Sequence, residues 1–335
     1  REDRIGAPLG TPQEEGTDRR DFVKACMMAA AAVGLPASVG VKWAEAAEAG
    51  LKPSVIWLHF QECTGCTESL LRTSSPGIAE LILDLVSLDY HETLFAAAGY
   101  QIEEALHQAM EAHAGQYVCV VEGAIPRAEN GIYCQIAGRT ALDIVNEVAG
   151  RAAAVISIGS CASWGGIPSA APNPTGAKGA PEVLEGKTVV TIPGCPANPY
   201  NLLGTVLQFV TLGTLPALDD KGRPLFAYAR TIHEDCPRRP HFDAGRFVEK
   251  FGDEGHKQGY CLYKVGCKGP YTYNNCPTER FHHHTSWPVL AGHGCIGCSE
   301  PHFWDTMADF EKPLGRREIH SLDMTADAIG GAILG

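Results

Sequence analysis

Three observations predict an α/β chain: a flavodoxin-like or Rossmann-like doubly wound parallel sheet, then an irregular, cluster-stabilised C-terminal domain. Short, continuously apolar runs alternate with longer helical stretches from residue 54 to about 212, the pattern of strands buried on both faces. Cysteines recur directly after those runs. Beyond about residue 215 the alternation stops, and Pro, Gly, His and aromatic residues take over. The 335 residues suit roughly two domains. With 45% hydrophobic and 20% charged residues, there is material for a packed core and no signature of disorder. A formal charge of −12 argues against nucleic acid and anionic lipid surfaces, which select basic partners. The 13 cysteines are too sparse for a small disulfide scaffold, and their odd number excludes complete internal pairing.

Residues 1–49 read as a leader. Arg19-Arg20 and Lys24 precede an apolar run from Ala25 to Val41, and A-x-A sites follow at Ala44 to Ala49. Gly34, Pro36 and Gly40 break the run, which is too short to span a bilayer comfortably; an amphipathic N-terminal helix is the rival reading. A twin-arginine leader implies export in the folded state, as a metal cofactor inserted beforehand requires. The mature protein is then expected in the periplasm. At the other end, Ala326 to Gly335 is small and apolar apart from Asp327, and the 321–335 tail reads either as the start of a truncated membrane anchor or as a frayed end.

The strands follow in order. Val55 to Phe60 runs straight into Cys63-Thr64-Gly65-Cys66. Ile78 to Leu88 has helical periodicity, introduced by Ser75-Pro76 as N-cap and first helical residue. Tyr117 to Val121 ends at Glu122-Gly123, and a helix is expected from about Ala137 to Ala149. Ala154 to Ile158 ends at Gly159-Ser160-Cys161, and Thr188 to Ile192 ends at Pro193-Gly194-Cys195-Pro196, with an apolar helix from Asn201 to Leu212. Cys63, Cys66, Cys161 and Cys195 therefore lie just past the carboxyl ends of predicted strands, the edge where open α/β sheets bind ligands. Glycines at 65, 159, 165, 166 and 194 suit close approach of a bulky cofactor. No G-x-G-x-x-G follows the first strand, so a dinucleotide has little support. Four converging thiolates suit zinc or an iron–sulfur cluster, with a thioredoxin-like dithiol as the rival for C-x-x-C alone.

Residues 216–320 hold a denser set of ligands and little regular structure beyond a possible helix from Asp243 to Phe251, so metals are the expected source of order. His233 and Cys236 form an H-x2-C pair, followed by Cys261 and Cys267; this set could also close a Cys3His zinc site. Cys276, Cys295 and Cys298 remain, an awkward number for zinc and a suitable one for a cuboidal cluster lacking one iron. Cys26 falls in the leader, Cys119 inside a strand and Cys134 near a helix start, the last two reading as small buried hydrophobes. Glu68 could tune a neighbouring centre or simply be solvated, His282-His283-His284 reads as a polar loop face, and Lys268 could bond cluster sulfur or meet a redox partner.

The motifs resemble the small, electron-transferring subunit of [NiFe]-hydrogenases. They are Glu62-Cys63-Thr64-Gly65-Cys66-Thr67-Glu68, Gly159-Ser160-Cys161-Ala162-Ser163-Trp164-Gly165-Gly166 and Pro193-Gly194-Cys195-Pro196 in the first domain. In the second they are His233-Glu234-Asp235-Cys236, Gly266-Cys267-Lys268-Gly269-Pro270, Asn275-Cys276-Pro277 and Gly292 to Pro301. The resemblance implies two [4Fe–4S] clusters and one [3Fe–4S] cluster. The proximal [4Fe–4S] would use Cys63, Cys66, Cys161 and Cys195. The distal [4Fe–4S] would use His233, Cys236, Cys261 and Cys267. The medial [3Fe–4S] would use Cys276, Cys295 and Cys298, with Pro288 near where a fourth ligand would sit. It also implies a large-subunit partner holding the Ni–Fe centre, so that no catalytic residue lies in this chain. The pair would form a heterodimer or a dimer of heterodimers that passes electrons to a membrane cytochrome b or another membrane or periplasmic acceptor. Oxygen-tolerant members carry two extra cysteines at positions matching Gly65 and Gly166, so an ordinary four-cysteine proximal cluster is expected. The rival readings are a generic multi-cluster electron carrier, a zinc-stabilised binding protein, and a chain that holds the Ni–Fe centre itself.

Overall fold

The fold is given by a computed structural model that describes residues 19–32, 36–48, 52–73, 77–282 and 284–314. Parts of the expected leader, Ser75-Pro76, His283 and the 321–335 tail lie outside the described residues. Five parallel strands, β1 (Ser54–His59), β2 (Ser87–His91), β3 (Val118–Glu122), β4 (Ala154–Ile158) and β5 (Val189–Ile192), form one sheet in the order β2-β1-β3-β4-β5. That order is the flavodoxin-like one, with its switch point between β1 and β3.

Period-two alternation splits the strand side chains between two cores. Val55, Trp57, Val118, Val120, Ile156 and Ile158 face the helix α7 (Pro199–Leu212), meeting its Leu202, Leu203, Val206 and Leu207. Ile56, Leu58, Cys119, Val121 and Val155 face α4 (Tyr100–Ala112) and α5 (Ala141–Arg151). Each buried Ile, Leu or Val on these faces contributes about 2 kcal/mol of apolar transfer. Cys119 is wholly buried here and Cys134 packs half-buried against the same core, as small hydrophobes do.

Helix starts depart from expectation where turn chemistry intervenes. Ala137 and Gly138 both have positive φ in a tight hairpin between Gln135–Ile136 and Arg139–Thr140, so α5 begins only after Thr140, whose Oγ1 accepts from Asp143 N at 3.1 Å. Asn198 caps α7 in the same way, with Pro199 in its first turn.

Two expected helices are corrected. Ile78–Leu88 is helical only to Glu80, continues as a π-turn over Leu81–Leu85, and ends in β2. The amide of Val86 reaches back to Leu81 O at 3.0 Å, and the Asp89 carboxylate accepts from Ser54 and Ser87, holding a polar edge strand beside β1. Asp243–Phe251 is not a helix: Arg239–Asp243 makes a single short helix, and Val248 pairs with Cys261 instead. The helix α4 carries Ile102, Leu106, Ala109 and Met110 on its buried stripe, a helical spacing that the sequence reading passed over.

In the N-terminal segment, α1 (Arg19–Ala32) and α2 (Ala37–Glu48) pack on each other and on α7, burying Cys26, Ala30, Trp43 and Ala44. No helix among the described residues is long and apolar enough to cross a membrane.

His91 on β2 gives the fold a pH dependence. Its Nδ1 accepts from Thr93 N and Leu94 N, so its proton sits on Nε2 and points to Thr67 Oγ1 at 3.4 Å. Burial, then the neighbouring His59, lowers its pKa to about 3, with backbone bonding opposing. The folded pKa lies below the unfolded one, so this contribution is complete above about pH 6.5 and is lost as pH falls toward 3, at up to ~1.4 kcal/mol per pH unit. Urea midpoints measured between pH 7 and 4 should fall accordingly, and His91→Gln should flatten the slope.

Candidate metal centres

The carboxyl edge of the sheet collects the first cysteine set. β1 leads to Cys63, which is exposed, and Cys66 lies buried in the first turn of α3 (Gly65–Leu70). Cys161 sits in α6 (Gly159–Trp164) directly after β4, and Cys195, exposed, follows β5. Burial, then Cys195 and Cys63, pushes the Cys161 thiol up to about 12. Burial, then Glu122, holds the Cys66 thiol well above its ordinary value, with Cys161 and Cys195 adding to it. Thiols that raise one another face a shared space, and a cation placed there would relieve all of them.

The backbone leaves room for that cation. Gly159 has φ +80, and a Cβ there would lie 2.5 Å from Cys66 Sγ. Gly166 has φ +58, and its Cβ would lie 2.5 Å from Cys161 Sγ; one on Gly65 would lie 3.1 Å from Cys63 Sγ. Gly65 and Gly166 thus border the first cysteine set directly.

Glu122, mentioned in the sequence only as the end of a strand, is the anchor of this loop. Its Oε1 accepts from Cys66 N at 3.1 Å and Thr67 N at 3.2 Å, and its Oε2 accepts from Thr67 Oγ1 at 2.6 Å and Trp57 Nε1 at 3.0 Å. A carboxylate closing an otherwise apolar strand was the available signal, since a buried charge must find donors. Glu68, by contrast, is exposed in an ion pair with Arg72, the solvated reading.

The second domain forms two further collections, ordered by turns and helices of three to five residues. His233, Cys236, Cys261 and Cys267 line a small cavity of about 20 Å³. Burial, then nearby thiols, pushes Cys261 up to about 12, against backbone bonding from Tyr263. Cys276, Cys295 and Cys298 line a larger cavity of about 440 Å³ together with Pro288 and Cys195. His282 also lines that cavity. His284 stacks on Tyr200 with its Nδ1 2.5 Å from Glu279 O, so His284 is more engaged than a plain polar loop face.

Hydrogen bonds tie the three sets in sequence. Ser160 Oγ accepts from Gly194 N at 3.0 Å, next to Cys195, while donating to Cys298 O. The Cys295 amide donates to Cys267 Sγ at 3.3 Å. The three-cysteine set therefore lies between the other two.

No disulfide joins any of the cysteines among the described residues. One zinc holds its sulfurs about 3.8 Å apart, as 2.3 Å tetrahedral bonds require. Among the described residues, the ligand atoms that cluster within 4.8 Å in a group of three belong to His59, Glu62 and Glu122, not to any cysteine set. The soft donors and their wider spacing fit a cluster of several irons better than a single ion.

Comparison with known proteins follows the same division of the chain. Residues 63–209 match the family described as NADH ubiquinone oxidoreductase, 20 Kd subunit. Residues 228–311 match the family that describes the C-terminal part of the NiFe/NiFeSe hydrogenase small subunit. The chain is 51% identical over 330 residues to the quinone-reactive Ni/Fe-hydrogenase small chain of Wolinella succinogenes, covering 96% of this chain and 93% of that one. It is 55% identical over 286 residues to the hydrogenase-2 small chain of Escherichia coli strain K12, covering 85% and 77%. The crystal structure of a reduced, active form of the Ni-Fe-Se hydrogenase from Desulfomicrobium baculatum matches with a TM-score of 0.73 at 35% identity, over 78% of this chain and 99% of that one. Identity of this order across nearly the whole length places the chain in the family of NiFe hydrogenase small subunits.

Proposed function

We propose that this small subunit relays electrons from H2 oxidation, H2 = 2 H+ + 2 e−, at the Ni–Fe centre of a large-subunit partner to an acceptor at the membrane. Cys63, Cys66, Cys161 and Cys195 would hold a proximal [4Fe–4S] cluster, Cys276, Cys295 and Cys298 a medial [3Fe–4S] cluster, and His233, Cys236, Cys261 and Cys267 a distal [4Fe–4S] cluster. Bound clusters supply reversible one-electron storage and transfer. The observation that carries this reading is the spatial order of the three ligand sets, joined by the Ser160 bridge between Gly194 and Cys298 and by the amide-to-thiol bond from Cys295 to Cys267. Exposed Cys63 and Cys195 put the first set at a surface that a large subunit would cover. The chain's own residues orient the ligands: Glu122 fixes the Cys66 turn, Ser160 joins the first two loops, and amides directed at sulfur tune the sites they hold.

Residues 1–49 would act as a twin-arginine leader, 50–215 as the flavodoxin-like domain, 216–320 as the iron–sulfur domain, and 321–335 as a tail. Relatives named periplasmic and quinone-reactive support a periplasmic, membrane-associated setting. Purified with its partner, this subunit should hold about 11 irons and give a [3Fe–4S] EPR signal when oxidised. A count near four, or zinc in place of iron, overturns the assignment.

A further inference from the structure

Lys268 is a lysine with no exposed surface, a rare placement because burying an ammonium is costly. It follows Cys267 directly, and its amide donates to Cys295 O at 2.7 Å, so it stands where the distal and medial ligand sets meet. Its Nζ donates to Asp309 O at 3.2 Å and to Lys312 O, drawing the 309–312 segment over this junction. Gly266 lets that segment in, since a Cβ there would lie 2.4 Å from Phe310 O. The backbone carbonyl of Lys268 accepts from Thr272 Oγ1 at 2.7 Å, fixing the residue at both ends. The site therefore presents a held, desolvated cation beside Cys267.

We propose that Lys268 is a positioning residue for electron transfer: its fixed charge raises the reduction potential of the distal centre and so draws electrons outward from the medial one. The proposal rests on the cluster assignment above. A centre that gains one electron gains one negative charge, and a neighbouring cation favours that state. The transfer removes one electron from the medial centre, adds one to the distal centre, and exchanges no proton or bond. Because the ammonium is enclosed, added salt should screen it far less than a surface lysine. A purely structural lysine would pin the 309–312 segment without moving any potential.

The test is an EPR-monitored redox titration of the purified heterodimer carrying Lys268→Met, Lys268→Gln or Lys268→Arg. In both neutral variants the distal potential should shift negative, changing its reduced-to-oxidised ratio at fixed potential by at least threefold, at low and high salt alike. Lys268→Arg should stay near the unmodified protein, and the proximal centre should not move. Lys268→Gln keeps a donor for the carbonyls, which maintains the test if Lys268→Met does not fold. Intact clusters with an unchanged distal potential in a neutral variant, or an equal shift in Lys268→Arg, overturn this inference alone. An unmodified heterodimer without iron at the His233, Cys236, Cys261 and Cys267 set overturns the cluster assignment and the inference with it.

Discussion

Gly159→Ala should abolish the proximal centre while leaving the other two filled. The residue sits at φ +80, where an L side chain costs about 1–2 kcal/mol. The larger effect is steric, because the new Cβ would lie 2.5 Å from Cys66 Sγ and must displace either the thiol or the turn after β4. That turn also carries Cys161, so two of the four proposed ligands move at once. Iron in the purified complex should fall by about four atoms, with H2 oxidation lost and the [3Fe–4S] EPR signal retained. Gly150→Ala in α5 is the control: nothing lies within 4 Å of its Cβ and its φ is not positive, so the change should be neutral or stabilising by about 0.5–1 kcal/mol. Full iron in Gly159→Ala would show that Cys66 and Cys161 do not share a site.

Arg223→Met should be among the most destabilising single changes in the chain. Arg223 is buried between Asp219, at 2.7 Å, and Glu300, at 2.9 Å, and its guanidinium lies over the rings of Tyr228 and Tyr273. Burial works against the charge, but Glu300 and Asp219 outweigh it and hold its pKa above the ordinary value. Glu300 also accepts from Tyr273 N at 2.8 Å and lies two residues after Cys298, so the arginine ties the segment leaving the sheet domain to the three-cysteine set. Removing one partner of a buried ion pair leaves uncompensated charge, at a cost of about 3–5 kcal/mol. The thermal midpoint should fall on the order of 10 °C. Adding Glu300→Gln should recover part of the loss, since the stranded carboxylate is then neutral. A midpoint within 2 °C of the unmodified protein, taken as roughly 1 kcal/mol, would refute the pairing.

The legibility of the sequence varied with the kind of signal. Four of the five strands were visible because parallel strands covered on both faces are continuously apolar. β2 was hidden because it is an edge strand reading Ser-Leu-Asp-Tyr-His, attached to a leucine-rich stretch with helical spacing. Its place depends on the hydroxyl of Ser54, 35 residues away in the chain, meeting Asp89, a contact that no local window contains. The start of α5 was misplaced because positive φ at Ala137 is a demand of the hairpin, not a preference of alanine.

By itself the sequence determined the α/β class, the strand ends that carry Cys63, Cys66, Cys161 and Cys195, and the family, because these rest on local periodicity and motif spacing. Only the tertiary structure decided which ligand sets adjoin. The Ser160 bridge from Gly194 to Cys298 and the bond from Cys295 to Cys267 join loops far apart in the chain, as does the Glu122 carboxylate that holds Cys66. It also decided that Lys268 is an interior cation and not a surface contact. Charge and hydrogen bonding at a site depend on what the rest of the chain packs around it, and residue order alone does not carry that information.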